Sequence, residues 1–160
     1  GCVMKKPVMR LYLDTSVFGG VHDKEFETES KRLFAAIHKR KAFVMVSDVT
    51  LEEIQGAPDR VKAVMSDLPK DQVLFVETTE EVIRLRDEYL ARKILTPKST
   101  DDATHVALAT INRADAIVSW NFKHIVRLDK MKQYNQVNFG FGYGILEIVS
   151  PKEVVFDEKE

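Results

Sequence analysis

The sequence predicts an α/β fold, a three-layer α/β/α arrangement with a mostly parallel central sheet covered by helices. Two observations carry this. Short apolar runs alternate with longer stretches of helical periodicity along the whole chain. The runs are also near-continuously apolar, as strands covered on both faces are. With 160 residues and 44% hydrophobic composition, the chain is long enough for one buried core and short for two.

The elements follow in order. Residues 10–14, RLYLD, read as a strand, and residues 24–41 as an amphipathic helix with Phe26, Leu33, Phe34 and Ile37 on one side. AFVMVS, 42–47, is a second strand, and residues 48–58 form a short helix stopped by Gly56 and Pro58. Residues 59–68 and 79–94 read as helices around a weaker strand at 73–77. TPKST, 96–100, is a loop before a helix over 101–113. Residues 114–120 give a fourth strand, 122–134 a helix, 135–144 a flexible loop and 145–150 a last strand ahead of Pro151. The acidic tail, 156–160, is expected to fray, and residues 1–8 are read as an N-terminal extension or a cloning scar, with Met4 or Met9 as a native start.

Charge and cysteine content narrow the function. Twenty-four Lys and Arg against 25 Asp and Glu give a formal charge of −1, so no global basic field marks a passive polyanion binder. An acidic site that recruits a cation and meets phosphate through it is compatible with that balance. The single cysteine, Cys2, excludes an intramolecular disulfide framework. No apolar run approaches the roughly 20 residues of a membrane helix, so the expectation is a soluble, cytoplasmic protein.

In parallel α/β sheets ligands bind beyond the carboxyl ends of the strands, and acids recur there. Asp14 closes the first strand, Glu52 and Glu53 follow the second, Asp101 and Asp102 open the helix before the fourth, and Asn121 follows that strand. Oxygen ligands of this type suit a hard divalent cation. Each also has a structural reading: Thr50 to Glu53 fits a capping box, Ser99 to Asp102 fits an acidic helix start, and Asp14 fits a cap on the Thr15-Ser16 turn.

YLDTSVF, VSDVTLEEI, STDDATHVALA and IVSWNFKHIV, in that order and followed by ILEIVSPKEV, resemble the PIN domain, the nuclease fold of VapC-type toxins of toxin–antitoxin systems. The resemblance spans residues 9–155, as one PIN-like domain. It implies a metal-dependent endoribonuclease in which Asp14, Glu53 and Asp102 hold Mg²⁺ or Mn²⁺. Asn121 stands where that family commonly has a fourth Asp, which removes a charge from the catalytic set and weakens any second metal. Thr15, Ser16 and Ser119 are the supporting hydroxyls. Lys98, Lys123 and His124, with Arg127 nearby, are the candidate phosphate contacts. His105 reads as a hydrogen-bonded core histidine, and Trp120 as a packing residue with base stacking as its other use. The resemblance also implies an RNA substrate, a cognate antitoxin and a homodimer. The competing reading is a catalytically degraded PIN fold that binds RNA or a partner without cutting. A phosphoaspartyl enzyme is disfavoured because no second acid follows Asp14 two residues on.

Overall fold

A computed structural model describes residues 8–156. The readings of residues 1–7 and 157–160 lie outside the described residues. Five parallel strands form one sheet in the order β3-β2-β1-β4-β5, with β1 Met9–Leu13, β2 Ala42–Ser47, β3 Val73–Val76, β4 Ala116–Val118 and β5 Glu147–Val149. Seven α-helices are present among the described residues: α1 Ser16–Gly20, α2 Glu27–His38, α3 Asp48–Ile54, α4 Asp59–Ser66, α5 Glu80–Ala91, α6 Thr100–Ile111 and α7 Leu128–Gly140.

Strand alternation divides the core into two layers. Leu11 and Leu13 of β1, Val44 and Val46 of β2, and Ala116 and Val118 of β4 pack with Val17, Phe18, Leu33, Ile37, Ile54 and Val61 from α1 to α4. Tyr12, Met45 and Ile117 face the other way, onto Val82, Leu85 and Tyr89 of α5, Val106 and Leu108 of α6, and Tyr134 and Val137 of α7. The three-layer α/β/α expectation therefore holds. It holds because the buried apolar residues of β1, β2 and β4 divide between the two faces of the sheet.

The chain fills one side of β1 with β2 and β3, then crosses to place β4 and β5 on the other side. Leu13 pairs with Val118, and the Asp14 amide still donates to the Val118 carbonyl at 3.0 Å, one residue past the end of the strand. This reversal of strand order is the place where open α/β sheets form a crevice.

Two element assignments from the sequence are corrected. Residues 122–127 do not begin the last helix. Asn121 folds them into a turn, its backbone carbonyl accepting from Ile125 and Val126, and Arg127 is extended at φ −148° and ψ 130°, so α7 starts at Leu128. Residues 135–140 are the end of α7 rather than a loop, with Val137 and Asn138 buried. Phe156, assigned to the frayed tail, packs against the α1–α4 layer.

Helices α2, α5 and α6 end sooner than the sequence suggests, for one shared reason. Arg40, Lys93 and Arg113 take the left-handed conformation, at φ 63°, 59° and 56°. After each, the next amide reaches back into the helix: Lys41 to the Ala36 carbonyl, Ile94 to Tyr89 and Ala114 to Ala109, at 3.0–3.1 Å. This is the Schellman closure, which usually uses glycine. α7 does use one, Gly142 at φ 85°. A cation there complements the helix dipole but carries a Cβ penalty. Lys93→Gly is therefore expected to raise stability by about 1 kcal/mol in urea unfolding, and a loss of stability would show that the Lys93 side chain outweighs its backbone strain.

Candidate active site

At the crevice, β1, α3, α6 and the segment after β4 deliver their polar side chains to one cavity of about 520 Å³. Asp14, Thr15, Ser16, Glu53, Asp102 and Asn121 line it, with Asp23, Phe26 and Trp120 on its rim. Asp14 is 5% exposed. Its Oδ2 accepts from the Ser16 hydroxyl at 2.7 Å and from the Ser119 hydroxyl at 2.8 Å. A buried carboxylate needs such donors, and here they also fix its rotamer.

Glu53 arrives by a different route from the capping box. Ser47, extended at the end of β2, caps α3 by accepting from the Thr50 amide at 3.2 Å, and Thr50 itself is buried. With the cap supplied one turn earlier, Glu53 is free to point into the cavity. Its Oε1 accepts from the Thr15 hydroxyl at 2.8 Å and from His105 Nε2 at 2.5 Å. Glu52, its neighbour, is exposed.

Asp102 lies in the first turn of α6, half-buried, while Asp101 faces solvent. No side-chain cap bond forms at Ser99. Burial pushes the Asp102 carboxyl up, and the charge of Asp14 pushes it further, against relief from His124 and from a hydrogen bond to Asn121. Asp14 and Asp102 thus face each other as like charges.

The Asn121 carbonyl oxygen is engaged elsewhere. It accepts from the amides of Lys123 and His124, at 3.2 and 2.9 Å, and so closes the turn that delays α7. Ser119 Oγ accepts from the Asn121 amide at 2.9 Å. The Asn121 side-chain oxygen therefore serves as the cap of this turn. Lys98 and Lys123 are exposed on the turns before α6 and after Asn121, and His124 is half-buried. Arg127 is bound at 2.7 Å, in two-pronged fashion, to Asp129.

His105 is the residue whose importance the sequence reading understated. It is a hydrogen-bonded core histidine as expected, with no exposed surface, yet its Nε2 contacts Glu53 and lies 3.4 Å from Asp14 Oδ1. Its Nδ1 is 2.6 Å from the Tyr12 hydroxyl, which is 2.7 Å from Ser47 Oγ. The spacing signal was present. Asp102 and His105 are three apart on one helix face, and Tyr12 and Asp14 are two apart along one strand direction.

Burial alone would push the His105 imidazolium down, but Glu53, Asp14 and Asp102 outweigh it and hold it above the usual histidine range. Burial likewise opposes ionisation of Glu53, and the bond and charge of His105 with the Thr15 hydroxyl overcome it, holding that carboxyl below its usual range. Both directions describe an imidazolium–carboxylate pair, with Nδ1–H donating to Tyr12.

Among the described residues, no group of three or more His, Cys, Asp or Glu is arranged to hold a metal ion. The three carboxylates share a cavity, but Glu53 is tied to His105. What fits is a cation that takes one or two carboxylates and keeps water on its other positions, the habit of Mg²⁺. Asp14 and Asp102, all-oxygen and mutually repelling, are the two carboxylates that would hold it.

His105→Leu leaves the Tyr12 hydroxyl and Glu53 without their partner and is expected to cost about 1–3 kcal/mol in urea unfolding at pH near 6. A raised histidine contributes stability below its unfolded value, and that stability disappears as pH rises through the folded value. The lowered Glu53 contributes above the ordinary carboxylate range and loses it as pH falls. The gap between wild type and His105→Leu should therefore narrow as pH rises above the ordinary histidine range. A constant gap would mean that the imidazole is neutral throughout.

No protein-family model and no curated protein sequence matches this chain. Solved structures do match it. VapBC2 of Rickettsia felis, bound to a promoter DNA fragment, is 13% identical at a TM-score of 0.55 over 89% of this chain and 98% of that one. FitAcB of Neisseria gonorrhoeae is 10% identical at 0.54, over 90% and 99%. VapC20 of Mycobacterium tuberculosis, a toxin that cleaves the sarcin–ricin loop, is 20% identical at 0.52, over 67% and 86%. At these identities the likeness is one of fold, and the fold is that of the VapC-like PIN domain.

Proposed function

We propose that this chain is a metal-dependent endoribonuclease and the toxin of a toxin–antitoxin pair. The observation that supports this most is the delivery of Asp14, Glu53 and Asp102 from three separate elements into one cavity at the strand-order reversal. The fold shared with the VapBC complexes supports the second half, a cognate antitoxin partner, and a homodimer is part of the same proposal.

Mg²⁺ or Mn²⁺ on Asp14 and Asp102 would supply Lewis acidity toward the scissile phosphate and the attacking water. The chain supplies the rest. Ser16 and Ser119 hold Asp14 Oδ2, which leaves its Oδ1 on the side of the acidic cavity nearest His105. Glu53, kept ionised by His105 and Thr15, accepts a hydrogen bond from the incoming water and orients it. Asn121 lines the cavity with Asp102 and draws its carboxyl down, opposing the push from burial and from Asp14. Lys98, Lys123 and His124 flank the acids and offset phosphate charge.

One observation favours the competing reading of a non-cutting RNA- or partner-binding module. The Asn121 carbonyl serves the backbone, so this segment adds neither charge nor a free ligand.

The test is cleavage of a mixed RNA pool in Mg²⁺, Mn²⁺ or EDTA, with Asp14→Asn beside wild type. Cutting that needs the metal and falls at least about a hundredfold in the variant is expected, since Asp14 is the best-fixed ligand. A folded wild-type protein that neither cuts nor takes up Mn²⁺ in calorimetry would leave the binding module standing instead.

A further inference from the structure

The acidic cavity has a second wall that the carboxylate chemistry does not use. Phe26 and Trp120 line it, and Phe122 stands beside them. The Phe26 ring stacks on Trp120 with centroids 4.1 Å apart and planes 18° from parallel. Phe122 meets Trp120 edge-on at 6.1 Å and is tilted toward Phe26 at 6.4 Å.

Trp120 is the fixed member. It is 6% exposed, its Nε1 donates to Ser30 Oγ at 2.9 Å, and Gly20 lies so close that a Cβ there would fall 2.6 Å from Nε1. Its backbone amide donates to Ser16 Oγ at 3.0 Å, the same hydroxyl that donates to Asp14 Oδ2. One serine therefore sets the distance between the aromatic group and the acid. Phe122, by contrast, is 44% exposed and so keeps ring surface open beside the cavity.

We infer that Phe26 and Phe122, braced by Trp120, form a stacking subsite for an unpaired nucleobase next to the phosphate at Asp14 and Asp102. The class of ligand follows from the juxtaposition of an aromatic face with a carboxylate floor that, on the nuclease reading, meets phosphate through a cation. A nucleotide carries a phosphate and a flat π face within one unit. A base inside a duplex has its faces covered, so the subsite selects single-stranded or looped RNA. Lys123 and His124, on the turn after Phe122, lie where the backbone of the same strand continues. An apolar side chain of a protein partner is the rival occupant, but it would leave the acid floor unanswered.

The inference rests on the nuclease reading, and binding measurements separate the two. Fluorescence anisotropy would compare a labelled short single-stranded RNA, the same RNA with abasic sites, and its duplex, in Mg²⁺ and in EDTA. The intact single strand should bind at least about fivefold more tightly than the abasic strand, the lower end of what base–aromatic stacking supplies. Phe122→Leu, at an exposed position that keeps the fold, should remove that preference, and Phe122→Trp should keep it.

Quenching of the only tryptophan by the intact strand alone adds a direct readout. Equal binding of intact and abasic strands, or a base preference that survives both Phe122→Leu and Phe26→Leu, overturns the subsite. Base-dependent binding without any metal-dependent cutting would instead sink the nuclease reading and leave the subsite intact.

Discussion

The acidic cavity rests on one buried imidazole. Three carboxylates at the end of a sheet repel one another and lose hydration as they are buried, which would splay them apart without an opposing charge. His105 faces two of them from beneath, at 2.5 Å from Glu53 and 3.4 Å from Asp14. Tyr12 and Ser47 then anchor it from the other ring nitrogen. The chain of bonds joins α6 to α3, β1 and β2. It makes the helix that carries Asp102 also the helix that positions Glu53.

That arrangement has a consequence for the cation. His105 lies against Glu53 and Asp14, which leaves Asp102 as the carboxyl that burial and the charge of Asp14 push up. On the proposed nuclease reading, Asp14 and Asp102 would hold a divalent cation, which would supply Lewis acidity toward the substrate phosphate. On that reading the carboxylates have to be in place before substrate enters the cavity. The hydroxyls matter for the same reason. Thr15, Ser16 and Ser119 each donate to a carboxylate, so the oxygens they hold are fixed before any ligand arrives.

Much of this was legible in the chain. Apolar runs located all five strands, because β1, β2 and β4 are buried on both faces and could not be written otherwise. Asp14, Glu53 and Asp102 were legible as acids at element ends. The errors came where a local pattern had two physical solutions. Thr50-x-x-Glu53 and Ser47-x-x-Thr50 both offer a helix start, and only the extended Ser47 at the end of β2 decides between them. Residues 122–134 have helical periodicity, yet the Asn121 side chain satisfies the first amides in a turn and moves the helix start to Leu128. The ends of α2, α5 and α6 were hidden because Arg40, Lys93 and Arg113 do the work glycine normally signals. His105 was placed in the core but not in the site, since its role depends on three elements meeting at one atom.

On the proposed reading the site divides recognition between two unlike walls, which the hydrogen bond from the Trp120 amide to Ser16 joins. A phosphate bound through a cation is recognised by charge alone, which every residue of every RNA offers equally. The aromatic wall adds the discrimination that charge cannot give, since an exposed ring face distinguishes an unstacked base from one held in a helix. Because both walls are fixed through the same serine hydroxyl, a base that stacks well also sets the adjacent phosphate at a constant distance from Asp14. Selection of an unpaired nucleotide and alignment of its phosphodiester are then one binding event, and the binding energy of the base is used to position the bond to be cut.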